Sequence, residues 1–115
     1  GRLVLIELKT RRADRAYLSD VIELSVQRVA ITGQTGEDVA AHAYVVVHLP
    51  SRRRTAHRVE LLGAVEVDAL VRRREAILAG IVRPRFACAS ALCERCAFEN
   101  RCTGVSAASR KLAID

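Results

Sequence analysis

Every thiol of the 115-residue chain falls between positions 88 and 102, as Cys88, Cys93, Cys96 and Cys102 in the spacing C-x4-C-x2-C-x5-C. Four thiolates grouped on a segment without apolar periodicity can ligate a metal, which then organises backbone that has no core of its own. Disulfides are the alternative, but they belong to oxidising compartments, and the chain does not open with the charged, apolar and small-residue order of a secretory signal. A metal in a cytoplasmic protein is therefore the expectation. Zinc and an iron–sulfur cluster both accept four thiolates. The spacing differs from the bacterial ferredoxin run C-x2-C-x2-C-x3-C, so the cysteines alone leave the metal open.

Glu7-Leu8-Lys9 is the second group with chemical potential. Two positions apart on a strand, a carboxylate and an ammonium share one face, and we expect both to point away from the sheet core. Such a pair can hold magnesium or manganese and steady charge developing on a phosphoryl group; the plain alternative is a solvated ion pair. His42 and His48 alternate with Tyr44 along another strand, so these and His57 read as sheet-face histidines satisfied by neighbours. Arg52, Arg53 and Arg54 form a run at a turn, where they could grip a DNA backbone or simply be solvated.

The elements that must position these groups follow from periodicity. Arg2 to Thr10 reads as a largely buried strand, with Leu3, Val4, Leu5, Ile6 and Leu8 interrupted by Glu7. Asp20 and Glu23 make a capping box for a helix over about 20–32, ended by Gly33. Ala40 to Leu49 alternates as a second strand, and Thr55 to Leu61 returns as its hairpin partner after Pro50 to Arg54. A second amphipathic helix spans about 65–79, with Val67, Leu70, Val71, Ile77 and Leu78 on one stripe. Periodicity ends at Pro84. The organisation expected is one core over 1–83, a cysteine segment over 84–105 and a tail over 106–115, in a chain whose size suits a single domain.

Charge is unevenly spread. Residues 1–50 hold six basic and six acidic side chains, so the net +6 lies wholly in residues 51–115. Only Lys9 and Lys111 of the nineteen basic residues are lysines, and arginine forks suit phosphate, which makes a polyanion the expected partner. Four aromatic residues, Tyr17, Tyr44, Phe86 and Phe98, are too few for an extended base-stacking platform, so any grip runs through phosphates. The longest apolar runs, Leu3 to Ile6 and Ala43 to Val47, fall far short of the roughly 20 residues that cross a bilayer. No membrane partner is expected.

The block from Gly1 to Thr10, an apolar strand ending in Glu7-Leu8-Lys9, resembles the E-x-K strand of PD-(D/E)XK nucleases. With a following helix, a hairpin, a second helix and a terminal C-x2-C-x5-C (Cys93, Cys96, Cys102), the order of elements is similar to RecB-like, CRISPR-associated exonucleases with iron–sulfur clusters. The resemblance covers nearly the whole chain. It implies an α/β fold, part of a restriction-endonuclease-like core with a central sheet flanked by helices and a C-terminal cysteine-stapled loop. It also implies a [4Fe-4S] cluster on Cys88, Cys93, Cys96 and Cys102, with Cys88 as the fourth ligand. Glu7 would be a ligand to magnesium or manganese, with the Leu8 carbonyl as a second; Lys9 would be the catalytic lysine and Gln27 the motif glutamine, although Ile31 stands where the family has a tyrosine. The activity implied is cleavage of DNA, with single-stranded ends as substrate and CRISPR-adaptation or DNA-repair proteins as partners. The family's metal-binding aspartate precedes this strand by a hairpin, so the expectation is that the chain is the C-terminal part of a longer nuclease. The competing expectations are a non-catalytic, zinc- or cluster-stapled module that binds nucleic acid or a partner protein, and an electron-transfer or redox-sensing protein.

Overall fold

In the computed structural model, which describes residues 1–83 and 95–97, the branched apolar run at the start of the chain forms β1 (Leu3–Thr10). It is followed by α1 (Leu18–Thr35), β2 (Val39–His48), β3 (Arg54–Glu60) and α2 (Ala64–Leu78). β1 and β2 pair in parallel, β2 and β3 antiparallel, in the order β1-β2-β3. A parallel pair requires a crossover, and α1 supplies it, whereas the antiparallel pair needs only a short turn. The class is α/β. The chain divides into two compact units, Gly1–Glu75 and Ala76–Asp115, and the sheet and α1 lie in the first.

The core gathers where α1 covers the sheet. Ala43, Val45 and Val47 of the central strand are fully buried with Leu24 of α1, and Leu5, Ala16, Leu49, Val59 and Leu61 pack around them. Leu24 therefore holds the helix to the sheet. Leu24→Ala is expected to lower the unfolding free energy by about 3 kcal/mol, measurable as a shifted urea midpoint. Ser25, also fully buried, donates its hydroxyl to the Val21 carbonyl and accepts the Leu62 N–H at 2.9 Å. It thus ties α1 to the segment leaving β3.

The boundaries of α1 differ from those expected. Asp20 is not the residue before the helix but its third, and its carboxylate accepts the N–H of Tyr17 at 2.8 Å, half of a capping box. At the far end Gly33 lies within the helix and Gly36, at φ 73°, supplies the left-handed residue, its N–H donating to the Thr32 carbonyl at 3.0 Å. Thr35 reinforces this ending, donating to Ile31 and accepting from the Glu37 N–H.

β1 is not largely buried. Its residues alternate, with Leu5, Glu7 and Lys9 half-buried and Val4, Ile6 and Leu8 exposed at 40%, 64% and 75%. Only the face beneath α1 is covered among the described residues, so an unbroken apolar run is split between a covered and an open side. On α2, Val67 is buried while Leu70, Val71 and Leu78 of the expected stripe are exposed.

Candidate active site

Strand alternation and the register of β1 decide where Glu7 and Lys9 lie. Glu7 pairs with Val45 and Lys9 with Val47, both fully buried beneath α1. Side chains opposite one another in register share a face. Glu7 and Lys9 therefore point toward the helix-covered side, and not away from the core as the sequence alone suggested. The apolar residues between them take the open face.

On that side Lys9 meets two carboxylates. Its Nζ lies 3.4 Å from Oε1 of Glu7 and donates to Oε2 of Glu23 on α1 at 3.2 Å. The Glu23 hydrogen bond, followed by the bond and charge of Glu7, raises the lysine above its usual pKa against the opposing effect of desolvation. Lys9 is consequently a fixed cation at neutral pH, unsuited to accept a proton. From sequence alone Glu23 is only a capping residue. Its i+3 spacing from Asp20 was visible, but its meeting with a lysine fourteen residues earlier depends on how the crossover helix lies on the sheet.

Arg11 and Asp20 fix the helix beside this group. The guanidinium grips the carboxylate with both prongs, Nη1 to Oδ2 at 2.8 Å and Nη2 to Oδ1 at 2.9 Å, while Nη1 also donates to the Arg15 carbonyl at 3.0 Å. Asp20 is 2% exposed. The Arg11 hydrogen bond holds its carboxyl below the usual range, opposed by desolvation and aided by the Tyr17 N–H. With Asp20 and Glu23 on one stripe of α1 and Glu7 and Lys9 beneath, the three carboxylates are bridged by Lys9 and Arg11 across the strand–helix seam.

The remaining expected residues are placed as follows. Gln27 lies one turn beyond Glu23 on α1 and is exposed. Arg52 and Arg53 belong to the turn between β2 and β3, and Arg54 opens β3, its Nε donating to His48 Nδ1 at 3.4 Å. Cys88, Cys93 and Cys102 lie outside the described residues; Cys96 is described and is exposed. His42 and Tyr44 pack edge to face, with centroids 5.8 Å apart, in keeping with a shared strand face. His57 lies on the helix-covered face opposite Val45 and its Nε2 is 2.7 Å from Asp14 Oδ1, a pairing between positions too distant in sequence to be read from it.

Among the described residues no three histidine, cysteine, aspartate or glutamate side chains gather as a metal centre. The oxygen donors nearest Lys9 are the carboxylates of Glu7 and Glu23. A hollow of about 140 Å³ is lined by Leu8, Lys9, Thr10, Val46, His48 and Arg54. No helix among the described residues is long and apolar enough to cross a membrane. The chain matches no protein-family model, no curated protein and no solved structure.

Proposed function

We propose that the chain carries the catalytic strand of a metal-dependent DNA nuclease of the PD-(D/E)XK type, acting on single-stranded DNA. The observation that carries this reading is the Lys9 ammonium set between Glu7 and Glu23 at the C-terminal end of a parallel strand, where open α/β sheets place their ligands. Glu7 and Glu23 are hard oxygen donors suited to magnesium or manganese, with the Leu8 carbonyl as the further oxygen the resemblance implies. Bound there, such an ion would supply Lewis-acid activation of water and of the phosphodiester.

The chain's own residues do the rest. Lys9 keeps its proton because two carboxylates hold it, so it offers permanent positive charge to the phosphoryl oxygens as their negative charge grows in the transition state. Glu7 and Glu23 orient that ammonium from two directions, one fixed by β1 and the other by α1. Arg11 and Asp20 keep the helix in place, and Gln27 is the motif glutamine one turn further on. The test is digestion of labelled single-stranded DNA with magnesium or manganese by the full-length protein and by its Glu7→Ala and Lys9→Ala forms. Equal digestion by all three would leave a non-catalytic nucleic-acid-binding module in its place.

The cysteine segment belongs to the same proposal. Four closely spaced thiols support ligation of a [4Fe-4S] cluster that staples the end of the chain. Anaerobically purified protein is expected to be brown and to contain iron and acid-labile sulfide. Stoichiometric zinc without sulfide would assign the same cysteines to a structural zinc site instead.

A further inference from the structure

At the end of the sheet where β1 and β2 finish, two basic segments distant in sequence are tied together. The Arg11 N–H donates to the His48 carbonyl at 3.3 Å. The Thr55 hydroxyl donates to Asp14 Oδ2 at 3.1 Å, and the other oxygen, Oδ1, lies 2.7 Å from His57 Nε2. Asp14 thus joins the segment after β1 to the start of β3, across 43 positions. The His57 bond, the Thr55 bond and the nearby charge of Arg53 keep its carboxyl below the usual range, against desolvation.

This tether brings Arg12 and Arg15 to the same end as Arg52, Arg53 and Arg54. Over residues 9–20 and 48–57 seven basic side chains stand against two acids. Both acids are engaged within the fold, Asp20 by Arg11 and Asp14 by His57. Among the described residues Arg12, Arg15, Arg52 and Arg53 are exposed and form no ion pair. The guanidinium groups of Arg11 and Arg15 lie 4.8 and 4.7 Å from the centroid of the Tyr17 ring, so Arg15 is presented from a fixed support. Arg52 sits at φ 66°, a left-handed conformation that glycine adopts more readily.

We infer that this end of the sheet is one contact surface for the phosphate backbone of DNA, in which Arg12 and Arg15 act together with Arg52, Arg53 and Arg54, and Asp14 is the positioning residue that joins the two segments. The inference rests on the nucleic-acid part of the function proposed above and is independent of catalysis. Guanidinium forks match phosphate oxygens two at a time, favouring this partner over a diffuse acidic surface.

The experiment measures affinity of the full-length protein for labelled single-stranded oligonucleotides in EDTA, so that no cleavage intervenes, over a range of salt. The slope of log affinity against log salt is expected to fall by about 0.7 for each arginine removed, in the Arg12→Ala/Arg15→Ala double variant as in Arg52→Gly, with no change in sequence preference. Arg52→Gly relaxes the backbone, so its weaker binding cannot come from a damaged fold. Asp14→Ala decides the positioning role by sign. It raises net charge by one, which tightens binding if only charge matters, whereas loss of the tether weakens it several-fold. Weaker binding by Asp14→Ala and a reduced slope in the double variant support the surface. Tighter binding by Asp14→Ala, or an unchanged slope in the double variant, overturns it while leaving the nuclease reading standing. A parent protein that binds no DNA at low salt overturns both.

Discussion

Lys9→Ala is expected to lower metal-dependent digestion of single-stranded DNA by about 10²–10³-fold, the usual effect of deleting a preorganised group aimed at developing charge. Binding of the intact strand should change by little more than the loss of one phosphate contact. In the proposed role the two effects separate, because the lysine would meet its full complement of negative charge only in the transition state. Lys9→Arg keeps the charge but not the compact ammonium that fits between Glu7 and Glu23, and should restore little activity. Glu23→Gln provides a second readout. The Glu23 hydrogen bond is the largest influence raising the Lys9 pKa, so its loss should move the alkaline limb of the rate profile to lower pH. Unaltered digestion by Lys9→Ala would reduce the strand pair to an ordinary ion pair.

Arg11→Ala is expected to destabilise the protein by about 3 kcal/mol, because it strands the charge of Asp20 in a site from which water is nearly excluded. In a chain of this size that corresponds to a fall of roughly 10–20 °C in melting temperature. The pH dependence carries the sign. Asp20 is depressed in the folded protein, so its contribution is complete above the unfolded value of about 3.9 and is lost as pH falls through the lower folded value. The parent should therefore lose stability more steeply than Arg11→Ala on acidification below about pH 4, the two curves converging where Asp20 is protonated in both. Melting within a degree or two of the parent at neutral pH would show that the fork is solvated and carries little energy.

Parts of this arrangement were legible in the sequence for reasons that hold residue by residue. The alternation from Ala40 to Leu49 and the break at Pro50 point to a strand, its turn and a returning strand, found as β2 over Val39–His48 and β3 over Arg54–Glu60, because strand period and turn chemistry are local properties. The facing of Glu7 and Lys9 was not legible, since alternation says which residues share a side but not which side a distant helix will cover. The end of α1 was ambiguous for a similar reason. Gly33 and Gly36 can both adopt the left-handed ending, and the hydrogen bonds of Thr35 favour the second. Glu23 and Asp14 carry chemical meaning only through Lys9 and His57, partners that the crossover and the hairpin bring near.

The alternation of β1 also bears on how the chain avoids a competing structure. A slip of one residue against β2 would turn Val4, Ile6 and Leu8 beneath α1 and expel Glu7 and Lys9 to the open face, a pairing that apolar burial alone would favour. What opposes it is polar and lies along the strand. At its start the Leu3 N–H donates to the Asp38 carbonyl at 2.9 Å, and Arg2 pairs with the Asp38 carboxylate at 2.9 Å; at its end Lys9 bonds Glu23 and Arg11 bonds Asp20. Register is thus selected by ionic and hydrogen-bonded locks against the hydrophobic preference, a local frustration of the folding landscape at the strand proposed to bear the chemistry. Since concentrated salt weakens the exposed locks and leaves burial intact or strengthened, the same charges that would serve a phosphodiester also serve as the code by which this strand finds its place.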